Sequence, residues 1–274
     1  MGCGRVPAVF GPFFGLIVFS VGLAFAAGSP LTTVETTSVI LQTDLSPLEA
    51  KQLASRLGDV SGQLEEYWGR PLVGRVQIRV VGDLGNWPEK AIPAEARQQI
   101  TAKAGTTITE RETLDGRVQS IRSTVYAIAD GRTPQHEFVH AFCWQTFGRV
   151  GPDWFAEGMA EVFANRRPDA KGVQAPAWMI KYLRDETSPP TPGQIVRDDL
   201  GQRKLWQKYA HRWALCYLLT HHPRYADNFQ KFGKRLLRED DTDFFRNFAD
   251  AGEPLARDFR RFLREVAAGY EFSQ

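Results

Sequence analysis

The sequence predicts an α+β protein in which the strands come first and the helices second. Three observations carry this reading. Alternating, β-branched runs are confined to the part before residue 133, and beyond it apolar residues recur at three- and four-residue steps in segment after segment. The composition, 43% hydrophobic and 24% charged over 274 residues, is that of a globular chain long enough to bury a sizeable core. The expected layout is a mixed β-sheet with a helix over about residues 36–148 and a mainly helical part over about 149–268, together one unit spanning 28–274.

Residues 1–27 read as a secretory signal peptide. Arg5 is their only charge, residues 8–25 are almost wholly apolar, and Ala24-Phe25-Ala26 places small residues around a cleavage point before the polar "GSPLTT". An uncleaved membrane anchor is the alternative, because the apolar run approaches the roughly 18–20 residues of a span. Gly and Pro interrupt the run, so cleavage and export to the periplasm, the cell envelope or the medium is the expectation, with no stable membrane span left behind. Cys3 precedes the apolar run and so is not placed as a lipid acceptor. The formal charge of +2 has no Lys/Arg run interleaved with aromatics, which argues against nucleic acid as a partner.

After this segment, "SVILQTDL" is β-rich and ends at Ser46-Pro47-Leu48-Glu49, a Ser cap with Pro at the first helical position and Glu three residues after the cap. A helix follows, with Leu53, Leu57, Val60, Leu64 and Tyr67 on its apolar face, and "WGRPL" ends it. "RVQIRVV" alternates as a half-buried strand does, and "GDLGNWPEKAIP" reads as a loop. "GTTITERE" and "GRVQSIRS" flank Leu114-Asp115-Gly116 as a hairpin, and "TVYAIAD" is expected as a last, separate strand. Helical spacing then marks 133–148, 152–166, 176–184, 205–219, 225–237 and 255–267, with the Pro-rich "DETSPPTPGQ" as a loop.

The stretch "TPQHEFVHAFCWQTFG" holds His136, Glu137 and His140 as H-E-x-x-H. On a helix, positions i and i+4 share a face, so two imidazoles can meet one metal ion. Glu137 points roughly a hundred degrees away, which suits a base better than a ligand. A catalytic zinc takes three protein ligands and keeps one position open, so a third ligand must come from elsewhere. The next helix supplies a candidate in "WFAEGMAEVFA". Glu157 lies near its start, where acids also serve the helix dipole, but Glu161 sits one turn on along the same face. Two stacked acids repel by about a few tenths of a kcal/mol unless a cation neutralises them. Glu157 is then the third ligand, Glu161 the acceptor that orients a ligand histidine, and Gly158 the residue that lets the two metal helices approach.

These residues resemble the gluzincin metallopeptidases, in which two His of H-E-x-x-H and a Glu of a W-x-x-E-G-x-A second helix hold zinc. Sixteen residues separate His140 from Glu157. The chain is most similar to a secreted, largely uncharacterised bacterial group of this kind, the peptidase MA-like family, whose "YAxxWAL" helix is matched by "YAHRWALCYLL". The resemblance covers roughly residues 45–265. It implies a zincin-like fold, Zn2+ on His136, His140 and Glu157, Glu137 as general base and a peptide or protein substrate.

Amide hydrolysis passes through an oxyanion that needs a donor, and Tyr209 and His211 both lie on the matching helix. Similar enzymes use a tyrosine from a later helix, which favours Tyr209. His211 departs from the family pattern, which more often has a neutral polar residue there. "TVYAIAD" can offer an edge along which an extended peptide would pair, as in similar metallopeptidases, or serve in the more ordinary role of a sheet strand with no ligand. His221 and His222 end a helix before Pro223, where capping accounts for them. Cys143 and Cys216 are open to pairing or to simple burial. Two rival readings remain beside a peptidase: a zinc hydrolase of a non-peptide amide or ester, and a non-catalytic binding or scaffolding domain at the cell envelope.

Overall fold

In the computed structural model, residues 31–167, 172–238 and 242–268 are described. The predicted signal segment therefore lies outside the described residues. Helix α1 (Pro47–Trp68) begins where the local chemistry demands: the Ser46 side chain accepts from the Glu49 N–H, and Glu49 reaches back to the Ser46 N–H. It stops at Gly69, whose positive φ of 62° costs a residue without Cβ little. Its inward stripe, Leu53, Leu57, Val60 and Leu64, is buried as the spacing predicts.

Helix α1 is the crossover between two parallel strands, β2 (Val39–Thr43) and β3 (Val76–Val81). The five-stranded mixed sheet runs β1-β2-β3-β5-β4, with β1 (Thr32–Glu35), β4 (Thr106–Leu114) and β5 (Arg117–Ile128). Both end pairs are antiparallel and β3 pairs with β5 in parallel. Val39, Leu41, Val76, Ile78, Val80, Val125 and Ala127 form one buried face, against α1 and α3 (Thr133–Phe147). The opposite face carries a smaller cluster of Val81, Trp87, Ile92, Ala96, Ile100 and Tyr126, with α2 (Ala94–Thr101) across it.

Two strand expectations are corrected. "TVYAIAD" is no separate strand: its first five residues continue the second arm of the hairpin, turned at Asp115 and Gly116, so that β5 runs unbroken into the turn before α3. Nor is it an edge. Thr124–Ile128 pair with β3 on one side, and residues 124–126 pair with β4 on the other, so most of the run is interior and only its last two residues extend past the end of β4; the sheet edge nearest α3 is β4.

The second half is helical: α4 (Asp153–Asn165), α5 (Ala177–Asp185), α6 (Pro192–Val196), α7 (Leu205–His221), α8 (Ala226–Leu236), α9 (Phe244–Asn247) and α10 (Gly252–Glu265). Helix α7 is buried nearly all round, every residue from 210 to 219 included, and α4, α5, α6, α8 and α10 pack about it. Its closest neighbour is α4. A Cβ on Gly158 would overlap Cys216 Sγ and lie 2.7 Å from the Arg212 carbonyl oxygen. The close approach that Gly158 permits is thus between α4 and α7, not between α3 and α4 as its position in the motif suggested. Cys143 and Cys216 are both free, buried thiols, and burial pushes Cys143 up to about 12. No helix among the described residues is long and apolar enough to cross a membrane.

Candidate metal centre

The centre is built where β5 turns into α3. Asp130 fixes this turn, its carboxylate accepting from the N–H of Arg132 at 2.9 Å and the Thr133 hydroxyl at 2.7 Å. Pro134 follows in the first helical turn, where a missing N–H costs nothing. One turn later His136 and His140 lie on the same side of α3, their Nε2 atoms 3.2 Å apart. Helix α4 returns across them and brings Glu157 Oε2 to 3.1 Å from His136 Nε2 and Oε1 to 3.6 Å from His140 Nε2.

One ligand atom from each of His136, His140 and Glu157 lies within 4.8 Å of the others, so the group can hold a metal ion. The spacing and the donor chemistry both fit one. A tetrahedral ion with bonds of about 2.0–2.1 Å holds its ligands about 3.3–3.4 Å apart. The buried carboxylate of Glu161 accepts from His136 Nδ1 at 3.1 Å. With its hydrogen there, the Nε2 of a neutral His136 presents a lone pair directly to the acceptors Glu157 and His140. Such an array of facing acceptors is stable only with a cation or a proton among them. Without a metal the ring takes the proton: burial opposes the charge, but the carboxylates of Glu157 and Glu161 push His136 up to about 10. Burial would likewise raise the Glu157 carboxyl, yet His136 and His140 hold it well below the usual carboxylate range.

Glu161 is held in turn. Arg132 pairs with its second oxygen and Asn165 donates to the same atom at 3.2 Å, so the carboxylate stays ionised although only 1% of its side chain is exposed. Burial opposes that charge; His136 and Arg132 prevail. Glu137 lies off the ligand face. Its Oε2 accepts from the Thr107 hydroxyl at 3.0 Å, which ties the motif helix to the edge strand β4. Gly105, just before β4, is what lets them meet: a Cβ there would sit 2.6 Å from Glu137 Cγ.

The Tyr209 ring stacks on His136 with centroids 5.8 Å apart, and burial, together with the nearby Glu157 and Glu137 carboxylates, raises its hydroxyl so that it stays protonated. His211 goes elsewhere. Its ring is wholly buried, with Nε2 3.1 Å from the Tyr182 hydroxyl and 3.7 Å from Glu186, and it has no contact with the ligand group. The two residues are about 200° apart round α7, so only one can face α3. His221 contacts the Tyr217 carbonyl at the end of α7, in keeping with a capping role.

Arg132, Asn165, Thr107 and Gly105 escaped the sequence reading. Arg132, just ahead of the motif helix, carries the one local signal, a cation positioned to meet the second of two stacked acids. Thr107 and Gly105 carry none, because their role depends on the packing of β4 against α3. No family model matches this chain, and no curated protein matches it either.

Proposed function

We propose that the protein is a zinc-dependent hydrolase, and that its substrate is a peptide bond. The observation that carries the reading is the convergence of His136, His140 and Glu157 with Glu137 set to one side of them and Glu161 behind His136. Two imidazoles and one carboxylate at near-tetrahedral spacing suit zinc, with one position left for water or substrate. The likeness of "HEFVH" and "WFAEGMAE" to the gluzincin peptidases supports the same assignment, as does a segment 1–27 that reads as an export signal.

Zinc, when bound, polarises a carbonyl and brings the pKa of water toward neutrality. The chain's own residues do the rest. Glu161 holds His136 in the tautomer whose Nε2 faces inward, and Arg132 keeps Glu161 charged for that task. Glu137, steadied by Thr107, takes a proton from the attacking water and passes it to the leaving amine. Tyr209 retains its proton and donates to the oxyanion as charge develops there. His211 is committed to Tyr182 and takes no part.

Metal analysis of the purified chain after zinc repletion is expected to find about one zinc per molecule. Glu137→Gln is expected to keep that zinc and lose about 100- to 10,000-fold in hydrolysis of a peptide mixture. Wild-type protein without metal would exclude the centre, and undiminished turnover by Glu137→Gln would exclude the base. Full zinc with no hydrolysis by the wild type would favour the binding-domain reading.

A further inference from the structure

Two tryptophans stand exposed beside the metal centre without being part of it. Trp178 on α5 is 40% exposed and Trp206 in the first turn of α7 is 43% exposed. Their rings meet edge to face, centroids 5.6 Å apart at 81°, and the corner between them lines a cavity of about 330 Å³. The two half-exposed indoles make one contiguous apolar surface, the kind of feature that marks a binding site when it is large enough and rimmed by polar groups.

The corner is packed against the helices that carry the centre. Trp206 rests against the Tyr182 ring at 4.9 Å. Tyr182 is fixed from below by His211 at 3.1 Å and donates to Glu186 at 2.7 Å. This gives the buried His211 a task that the chemistry does not. Trp206 and Tyr209 lie three residues apart on one face of α7, and Tyr209 covers His136. On the other side, the guanidinium of Arg132 lies over Trp178, 5.8 Å from its centroid, while pairing with Glu161 behind His136.

A second cavity of about 460 Å³ shares Trp178 and is lined by Arg132, Arg167, Asn165 and Gln174 among the described residues. Glu161 already balances Arg132, so among the described residues Arg167 is the cation this cavity leaves for an occupant. An occupant of both cavities must offer a flat apolar group to the corner and a negative charge next to it.

We propose that Trp178 and Trp206 form a substrate-recognition site for an aromatic side chain, with an acidic neighbour received by Arg167. This deepens the peptidase reading and rests on it for the word substrate. A peptide residue advances about 3.3 Å when extended, and the corner is linked to His136 by three successive contacts through Arg132 and Glu161, so the residue it receives is expected to stand several positions from the bond that is cut. Among the described residues only the two indoles line the corner, so an aromatic ring finds edge and face partners there, while the hydroxyls of a sugar would find only the indole N–H groups.

The test is calorimetric titration of the zinc-repleted full chain carrying Glu137→Gln, so that peptide is not consumed. The probes are a blocked hexapeptide containing Phe-Glu at its centre and its Ala-Glu and Phe-Lys counterparts. The Phe-Glu peptide is expected to bind about tenfold more tightly than either. Trp178→Ala and Trp206→Ala should abolish the preference for Phe, Arg167→Gln only that for Glu, and Trp206→Phe should restore part of the first if the Ala variant loses folded structure. Equal affinity for the three peptides overturns the proposal, as does binding of a neutral oligosaccharide at the tryptophans with none of the peptides. Wild-type hydrolysis without aromatic preference overturns this site and leaves the peptidase intact. The preference in binding with no hydrolysis by wild type does the reverse.

Discussion

Single atoms decide much at the centre. Gly105 carries no positive φ, so its absence of a side chain matters only for space: Ala would place a methyl 2.6 Å from Glu137 Cγ and 2.8 Å from Thr133 Cγ2. Glu137 must then swing away from Thr107. Gly105→Ala is expected to retain zinc and lower kcat by at least about tenfold, as the misplacement of a base by about an ångström does; a kcat equal to wild type would show that Glu137 does not need its seat on β4. His211 makes a different kind of prediction. Burial, assisted by the cation Arg203, pushes it down to about 4 against the pull of Glu186. The unfolded chain therefore takes up a proton near pH 6.5 while the folded chain stays neutral until about pH 4. Stability from this residue is complete above pH 6.5 and is lost as pH falls through the window to about 4, by about 3 kcal/mol. His211→Asn should flatten that part of the stability curve in denaturant titrations from pH 7.5 to 4.5. A constant gap between variant and wild type across that range would count against the assignment.

Elements place these residues, and their contacts are not those that sequence adjacency suggests. Gly158 sits between Glu157 and the rest of the motif, yet its open side serves α7. Gly158→Ala would drive a methyl into the Arg212 backbone at 2.7 Å, which no side-chain rotation relieves. The expected cost is about 1–3 kcal/mol in urea unfolding, with Cys216→Ala recovering part of it by removing the sulfur; an unchanged midpoint would mean that α4 and α7 can separate freely. Helix α3 shows the complementary case. Its motif was legible because ligand spacing is local, and so was its end at Gly148. Helix α2 was not legible, since only Ala96 and Ile100 mark its inward face and no side chain caps its start. Strand β1 escaped for a similar reason, as "TTVE" buries Val34 alone. Short α6 and α9 lie in segments rich in loop formers.

Across the whole molecule, the centre ties the sheet half to the helical half. The residues able to hold an ion come from α3 and α4, Tyr209 of α7 covers one of them and Glu137 is seated on β4, so an ion bound there would stabilise the entire fold. At a hundredfold excess over the dissociation constant this amounts to about 2.7 kcal/mol. Chelation is expected to lower Tm by about 5–10 °C in wild type, and to leave His140→Ala unmoved; equal shifts in both would place the metal elsewhere. What the sequence alone determined is what short-range chemistry can encode: the α+β order, the capped helix at Ser46, the H-E-x-x-H face, and Glu157 and Glu161 one turn apart. Only the tertiary structure decided which residues meet from distant parts of the chain. It drew "TVYAIAD" into the sheet interior and made β4 the edge. It also brought Arg132 to Glu161 and Thr107 to Glu137, and set Tyr209 against His136 while turning His211 toward Tyr182. The physical reason is that a helix fixes the directions of its own side chains to within a turn, whereas which face meets which neighbour depends on how the whole core packs, and no local run of residues carries that information.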